Sequence, residues 1–201
     1  VEEGQNATFE ASASGRPAPT VQWQVSTNGG GTWSSISGAT SEKLTITSAT
    51  TSLSGHQYRA VFTNTAGKTN SEAATLTVQK APAVTKQPTS ITVDEGKSAS
   101  FEATASGFPA PTVQWELSTD GGASWGAIEG ATTSTYTITS ASGSENGDEF
   151  RATFTNVAGS ATSSAATLTV DTPPVVTKQP ANTTVEEGQN ATFEASASGR
   201  P

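Results

Sequence analysis

The sequence VDEGKSASFEATASGFPAPTVQW, which fills residues 93–115, decides the fold of this chain because close copies of it occur elsewhere. The chain opens with VEEGQNATFEASASGRPAPTVQW at residues 1–23, so the step from position 1 to position 93 is 92 residues. The same step leads to residues 185–201, which read VEEGQNATFEASASGRP and repeat the opening without a change. A fixed interval of this kind predicts tandem repeats, here two copies and the start of a third.

The third copy agrees with the first even where the second copy differs. Gln189, Asn190 and Arg200 repeat residues of the opening, whereas the second copy has Lys97 and Phe108 at the first and last of these positions. We therefore expect a larger repeating unit of 184 residues, twice 92, and interpret this chain as one stretch of a longer array.

The composition excludes several classes of protein. With 10 basic and 18 acidic residues the net charge is −8, which repels phosphate backbones and favours solubility, so no nucleic-acid partner is expected. The absence of cysteine removes both disulfides and thiolate metal sites. No apolar run approaches the roughly 20 residues that span a bilayer, so no membrane insertion is expected in this segment.

The second copy shows the pattern of an all-β protein. Short runs rich in β-branched and aromatic residues alternate with Gly, Pro, Asn and Asp, and no run has a sustained helical period. A 92-residue repeat with about seven short strands is typical of a β-sandwich. The predicted strands cover residues 85–87, 90–93, 99–105, 112–118, 125–128, 135–139, 149–156 and 161–170.

Two runs of the second copy resemble the immunoglobulin superfamily, intermediate-set type. Residues 101–115, FEATASGFPAPTVQW, are similar to the B strand, the B–C turn and the C-strand tryptophan of that family. Residues 148–159, DEFRATFTNVAG, are similar to its F strand and F–G turn. The resemblance covers nearly the whole chain and implies tandem immunoglobulin-like β-sandwich domains. The nearest likeness is to the tandem repeats of large bacterial extracellular proteins.

This resemblance implies three segments. The first repeat is domain 1 at residues 1–79, without its strand A. The second repeat is a complete domain 2 at residues 83–170. The tail, residues 173–201, is the start of domain 3 and carries strands A and B only.

The sequence departs from the family where the two cysteines of the inter-sheet disulfide normally lie. The second repeat has Ala103 and Ala152 there, and the first repeat has Ala11 and Ala60. A native disulfide in a small domain contributes about 2–5 kcal/mol, and other contacts must replace that contribution.

Packing around Trp23 and Trp115 is the expected replacement for the disulfide. Strand alternation places Trp115 on the same face as Val113 and Leu117, towards the core. The position of the family's tyrosine corner holds Tyr58 in the first repeat and Phe150 in the second. We therefore expect the second repeat to lack the hydrogen bond of that corner, because phenylalanine has no hydroxyl.

A second motif resembles the Asp-box, S-x-D-x-G-x-x-W. The second repeat reads STDGGASW with Asp120 and Trp125, and the first reads STNGGGTW with Asn28 and Trp33. Glycines permit positive φ, and an Asx side chain bonds nearby backbone amides, so both versions predict a hairpin. Asparagine cannot act as a general acid or base, and this favours a structural role over a catalytic one.

Candidate sites for chemistry are few, and we expect no catalytic, cofactor or metal site. His56 is the one histidine and is replaced by Asp148 in the second repeat, so a solvated loop residue is the simpler interpretation. The four arginines form two repeated pairs rather than a carboxylate-binding cluster. The joints at residues 79–83 and 171–175 contain a single aspartate, too few carboxylates for calcium.

Three sequons begin at Asn6, Asn182 and Asn190. They accept glycan only where the organism and compartment allow it, and chance occurrence in a threonine-rich chain is the simpler alternative.

The function expected is that of a non-catalytic structural repeat array. It would serve an extracellular fibre, stalk or adhesin at the cell surface and give reach and stiffness, with assembly into filaments as an extension of that role. The alternative is a polysaccharide- or protein-binding module attached to a secreted enzyme. Surface polysaccharide is a partner considered for that alternative.

Other copies of the same array are the main partners expected. They join either by covalent continuation of the chain or by strand pairing between subunits, because an incomplete sandwich exposes unpaired backbone groups. Repetition of the opening residues in the tail favours continuation. The mass of single chains after full denaturation separates the two arrangements.

Overall fold

The computed structural model describes residues 1–200, and this span is nearly all β. It divides into two compact units. The first contains Val1–Ala83, Ser106–Pro111 and Thr155–Ala161, and the second contains Val84–Ala105, Thr112–Phe154 and Thr162–Pro201. Pro201 itself lies outside the described residues.

The first repeat contains seven strands. One layer is the antiparallel pair of β1 and β4, and the other is the sheet β3-β2-β5-β6, in which β7 also pairs with β5. A single 3₁₀ turn, Thr51–Leu53, precedes β5. The strands are β1 (Ala7–Glu10), β2 (Thr20–Ser26), β3 (Ser34–Ser35), β4 (Lys43–Ile46), β5 (Gln57–Asn64), β6 (Gly67–Asn70) and β7 (Ala74–Thr75).

The second repeat has the same layers with two further strands before its B strand. The main sheet has the strand order β13-β12-β15-β17-β18. In addition, β16 pairs with β15, and β9 pairs in parallel with β17. Two further pairs are formed by β10 with β14 and by β8 with β11. The strands are β8 (Lys80–Lys86), β9 (Ile91–Asp94), β10 (Ala99–Glu102), β11 (Thr104–Phe108), β12 (Thr112–Ser118), β13 (Gly126–Ala127), β14 (Thr135–Ile138), β15 (Glu149–Asn156), β16 (Gly159–Thr162), β17 (Ala166–Lys178) and β18 (Ser196–Arg200).

Each repeat has its own hydrophobic core between its layers. In the second repeat the core contains Phe101 from β10, Trp115 from β12, Phe150 from β15 and Leu168 from β17, each no more than 2% exposed. These residues alternate with exposed or half-buried neighbours along their strands, as a sheet with one buried face requires. The chain is therefore an all-β protein of tandem immunoglobulin-like sandwiches.

Two predicted strands are interrupted in the structure. The strand predicted for residues 99–105 ends at Glu102 and resumes at Thr104, because the amide of Ala103 bonds the carbonyl of Ser134 outside the ladder. The strand predicted for residues 161–170 breaks at Ser163. Its hydroxyl accepts a hydrogen bond from the Ala152 amide at 2.9 Å and donates to the next carbonyl.

The tail continues β17 without a break, and β17 then pairs with β18 in antiparallel register, Val175 opposite Ser198. Val175, Val176 and Phe193 of the tail are 54–62% exposed among the residues that the structure describes. No helix among residues 1–200 is long and apolar enough to cross a membrane.

Candidate functional site

The hairpin between β12 and β13 carries the Asp-box-like motif of the second repeat. Ser118 is 1% exposed, and its hydroxyl donates to Asp120 Oδ1 at 2.7 Å while accepting the Gly122 amide at 2.8 Å. Asp120 Oδ1 also accepts the Ser124 amide, at 2.8 Å, and Oδ2 accepts the Ser124 hydroxyl, at 2.5 Å. Positive φ at Gly121 and Gly122 lets the chain turn tightly enough for these bonds.

These hydrogen bonds favour the ionised form of Asp120. Donation from the Ser124 hydroxyl and amide, and then from Ser118, lowers the pKa of the Asp120 carboxyl from 3.8 to about 2. The group is therefore ionised at neutral pH and cannot serve as a general acid there. Its oxygens are occupied by the turn that contains it.

Trp125 folds back over the same hairpin. Its indole Nε1 donates to the Gly122 carbonyl at 3.1 Å, and the guanidinium of Arg151 lies 4.1 Å from the ring centroid. Arg151 Nε also donates to Glu116 Oε2 at 2.6 Å. The arrangement is a cation–π stack closed by an ion pair, on a half-buried part of the surface.

The first repeat reproduces this hairpin without its acidic residue. Asn28 Oδ1 accepts the Ser26 hydroxyl at 2.9 Å and the Thr32 amide at 2.8 Å, as Asp120 does in the second repeat. The indole of Trp33 donates to the Gly30 carbonyl at 3.0 Å.

Arg59 covers the first-repeat hairpin in the same way that Arg151 covers the second. Its guanidinium lies 4.1 Å from the Trp33 centroid and donates to Gln24 Oε1 at 2.9 and 3.0 Å. Arg59 here bonds a neutral amide, whereas its counterpart bonds a carboxylate.

The positions of the family's cysteines lie in the cores. Ala60, Ala103 and Ala152 have no exposed surface, and Ala11 is half-buried against the first core. Small side chains there leave the space between the layers to aromatic rings.

The strand C tryptophans of the two repeats are buried and hydrogen-bonded. Trp115 has no exposed surface and Trp23 is 2% exposed. Their indole Nε1 atoms donate to the carbonyls of Thr133 at 2.9 Å and Ser41 at 2.8 Å, respectively. Both rings therefore fill the core and satisfy their polar group there.

The expected tyrosine corner takes a different form. Tyr58 is 3% exposed and stacks on Phe9 with 4.9 Å between centroids, and within residues 1–200 its hydroxyl makes no hydrogen bond. Phe150 stacks on Phe101 at 4.7 Å in the equivalent place. The corner hydrogen bond is thus lacking in the first repeat too, and both residues act through ring packing.

The remaining candidate residues do not come together in one site. His56 and Asp148 occupy equivalent half-buried positions, and burial, with a contribution from Glu145, raises the pKa of Asp148. No group of three or more metal-ligating side chains occurs among residues 1–200. The sequon residues Asn6, Asn182 and Asn190 are exposed, and Asn6 accepts a hydrogen bond from the Ser48 amide.

Sequence reasoning missed the stacking of arginine on tryptophan. The signal was available in the alignment of the repeats, because Arg59 and Arg151 match while their partner position changes from Gln24 to Glu116. Gln24 lies opposite Arg59 in the register of β2 and β5. The buried serines Ser26 and Ser118 were also missed, since the motif was interpreted through its aspartate.

Comparisons with known proteins agree with this geometry. A family model described as "Domain of unknown function (DUF8696)" matches residues 2–80 and again residues 83–172. Endoglucanase C of Cellulomonas fimi is 44% identical over 171 residues, which are 85% of this chain and 15% of that protein. Roundabout homolog 1 of Homo sapiens is 32% identical over 199 residues, covering 93% of this chain and 11% of that protein.

A solved structure of the Down Syndrome Cell Adhesion Molecule, comprising its N-terminal eight Ig domains, has the same fold. The TM-score is 0.63 at 25% sequence identity, and the match covers 100% of this chain and 29% of that chain. The chain spans less than a third of each of these three proteins.

Proposed function

This chain belongs to the family described as "Domain of unknown function (DUF8696)", and we propose that it is a non-catalytic structural array of immunoglobulin-like repeats in an extracellular fibre, stalk or adhesin. Each repeat adds length, and the array holds other modules away from the surface that carries it. The chain's likeness in fold to a cell adhesion molecule supports this location.

One observation carries the proposal: the two hairpins keep their contacts while their ionisable groups change. Asp120 and Asn28 accept the same pair of hydrogen bonds, and Glu116 and Gln24 bond the same arginine position. A proton-transfer role requires an ionisable side chain, whereas a turn requires only an acceptor oxygen. Both hairpins keep the acceptor oxygens although the charge of the side chain differs, and this supports a structural role.

The sequence of the joints supports stiffness. Pro82, Pro173 and Pro174 lie between the repeats, and proline fixes φ and narrows the conformations of the chain. A spacer with such joints keeps the modules at its two ends at a better defined distance than a spacer whose joints consist of glycine and serine.

Stretching a single polypeptide in a force spectrometer tests this role. We expect each repeat to unfold as one event that lengthens the chain by about 300 Å, the contour length of a repeat of this size. The variant Trp115→Ala should lower the force of one class of event and leave the other unchanged. A smooth extension without separate events would contradict a load-bearing array.

The alternative role is a polysaccharide-binding module joined to a secreted enzyme, and the 44% identity with Endoglucanase C favours it. The surface that would bind sugar contains the half-buried indoles of Trp33 and Trp125, each with one face covered by an arginine. Co-sedimentation with insoluble cellulose separates the two roles. The structural array stays in solution, whereas retention on cellulose that Trp33→Ala and Trp125→Ala together abolish would establish the binding module.

A further inference from the structure

The dipeptide Asn-Gly occurs twice in the chain, at Asn28-Gly29 and at Asn146-Gly147. In this dipeptide the glycine nitrogen can attack the side-chain amide carbon of the asparagine, because no glycine side chain hinders the approach. The reaction closes a cyclic imide and releases ammonia, and water then opens the imide to a carboxylate. The surroundings of the glycine nitrogen and of the side-chain amide decide whether the folded chain permits this reaction.

At Asn146-Gly147 the attacking nitrogen is occupied. The Gly147 amide donates to the Leu168 carbonyl at 2.8 Å, and the Asn146 side-chain oxygen accepts the Val170 amide at 2.9 Å. Both bonds attach the turn to β17, and Asn146 is half-buried. The nitrogen must give up a backbone hydrogen bond before it can attack, and this slows the reaction.

At Asn28-Gly29 the attacking nitrogen is free. The Gly29 amide has no hydrogen-bond acceptor among residues 1–200, whereas the amides of Asn28, Gly30 and Gly31 each have one. Asn28 and Gly29 are both exposed, so water reaches the site. The nucleophile and the water that the reaction needs are therefore available in the folded chain.

The side-chain amide of Asn28 is held in a way that favours attack on its carbon. Its Oδ1 accepts the Ser26 hydroxyl at 2.9 Å and the Thr32 amide at 2.8 Å. Negative charge develops on Oδ1 when the Gly29 nitrogen bonds the side-chain carbon. Two donors already aimed at that oxygen stabilise the charge, as an oxyanion hole does.

The second repeat shows that the hairpin accommodates the product. The equivalent residue there is Asp120, whose Oδ1 keeps the contacts to the preceding serine hydroxyl and the following amide. Its Oδ2 accepts the Ser124 hydroxyl, whereas Asn28 Nδ2 donates to the Thr32 hydroxyl at 3.0 Å. Rotation of the Thr32 hydroxyl hydrogen would give an aspartate at position 28 the same set of bonds.

We propose that Asn28 is a spontaneous modification site, at which attack by the Gly29 nitrogen converts the asparagine into aspartate. The Gly29 nitrogen bonds Asn28 Cγ, the bond from Cγ to Nδ2 breaks, and the Gly29 proton leaves with Nδ2 as ammonia. Water then adds to Cγ, the bond from Cγ to the Gly29 nitrogen breaks, and that nitrogen takes a proton from the water.

The donors on Oδ1 also direct the second step. They polarise Cγ, so water attacks there and restores the main chain in preference to the Asn28 backbone carbon, where attack would form isoaspartate. The modification adds one negative charge to a chain whose net charge is −8. It brings the first hairpin to the chemistry of the second.

Ageing of the folded 201-residue chain in mildly alkaline buffer tests the proposal, with Asn146 as the internal control. Digestion and mass spectrometry follow the loss of each side-chain amide. We expect Asn28 to convert at least about tenfold faster than Asn146, the factor in rate that one backbone hydrogen bond provides. In denaturant the two sites should convert at similar rates. Equal rates in the folded chain, or an Asn28 amide that survives there after the denatured chain has lost it, would overturn the proposal.

The variant Asn28→Asp supplies the expected product as a reference. The aged peptide from the folded parent chain should co-elute with the peptide of this variant, and the variant should keep the unfolding midpoint of the parent. Isoaspartate as the main product of the folded chain would refute the role of the donors on Oδ1.

The variant Asp120→Asn is the matched test of the hairpin itself. Gly121 has the same φ as Gly29, +67°, and Ser118 and Ser124 supply the same donors to Oδ1. The variant should therefore gain a second reactive site that converts at a rate close to that of Asn28. An amide at position 120 that stays intact while Asn28 converts would show that the hairpin geometry is not the cause.

Discussion

The first and second repeats form the same hairpin with different side chains. The second repeat has Asp120 where the first has Asn28, and in both the side-chain Oδ1 accepts the hydroxyl of the serine two residues before it and the amide four residues after it. The third bond reverses, because Asp120 Oδ2 accepts the Ser124 hydroxyl whereas Asn28 Nδ2 donates to the Thr32 hydroxyl. The turn therefore depends on where oxygen acceptors lie and not on charge. At this hairpin the acidic residues give the second repeat a dependence on pH and salt that the first repeat lacks there.

The cores differ in a related way. Phe9 and Tyr58 stack at 4.9 Å in the first repeat, and Leu44 lies on β4 nearby. In the second repeat Phe150 stacks on Phe101 at 4.7 Å, and Tyr136, the counterpart of Leu44, approaches it at 5.5 Å. The tyrosine of the cluster thus lies on β5 in the first repeat and on β14 in the second, while aromatic stacking is retained.

The largest effect on stability is expected at the strand C tryptophans, which occupy equivalent positions in the two repeats. Trp115→Ala should destabilise the second repeat by about 3–5 kcal/mol, because it removes a fully buried ring. Trp23→Ala should cost the first repeat a similar amount. Denaturant titrations measure both changes, with half-buried Trp125→Ala as the milder control. A loss below about 1 kcal/mol at Trp115 would be incompatible with a core position.

The buried hairpin serines should be next in size and equal in the two repeats. Ser118→Ala leaves the Gly122 amide without its acceptor and removes one of the donors to Asp120, and this should cost about 1–3 kcal/mol. Ser26→Ala makes the same change beside Asn28. Thermal unfolding of both variants measures the effect. A much larger loss in the second repeat would show that the charge, and not the acceptor geometry, holds the hairpin.

Acid should distinguish the repeats. The pKa of Asp120 is lowered from 3.8 to about 2, so its carboxylate stabilises the fold at pH values above 3.8 and loses that contribution as the pH falls to about 2. The first repeat has Asn28 there and should lack this dependence. Carboxyl chemical shifts followed by NMR should show a midpoint near the lower value, and Asp120→Asn should remove the extra acid sensitivity. A midpoint near 4 would contradict the hydrogen-bonded carboxylate.

The smallest effect on stability is expected when Glu116 of the second repeat is replaced by glutamine, the residue that the first repeat has at the equivalent position. Glu116→Gln should cost about 0.2–1 kcal/mol, because the pair with Arg151 is partly exposed and screened by solvent. High salt should weaken the parent protein more than the variant, by a similar amount, because the other ion pairs are common to both. Urea titrations at low and high salt measure this difference, and an equal salt effect in the two proteins would place its origin elsewhere.

The sequence predicted the elements that a local pattern encodes. Alternation along residues 112–118 placed Trp115 inward, and the glycines of the hairpin marked its turn. The contacts between strands were not predictable in that way. The stacking of Arg151 on Trp125 joins residues 26 positions apart, and it depends on which strands are neighbours in the sheet.

Strand interruptions escaped prediction for a different reason. Ser163 looks like an ordinary strand residue, and only the fold shows that its hydroxyl replaces a ladder bond to Ala152. The half-burial of Phe9 and Ala11, whose counterparts Phe101 and Ala103 are buried, likewise required the structure.

The alanine pairs that replace the cystine carry a consequence for biogenesis. Ala103 and Ala152 bring no sulfur into the core, so a repeat reaches its final form without an oxidant or an isomerase. A domain closed by a disulfide matures only in an oxidising compartment and is open to reduction afterwards. These repeats therefore need no oxidising compartment to mature, and reducing surroundings leave them intact.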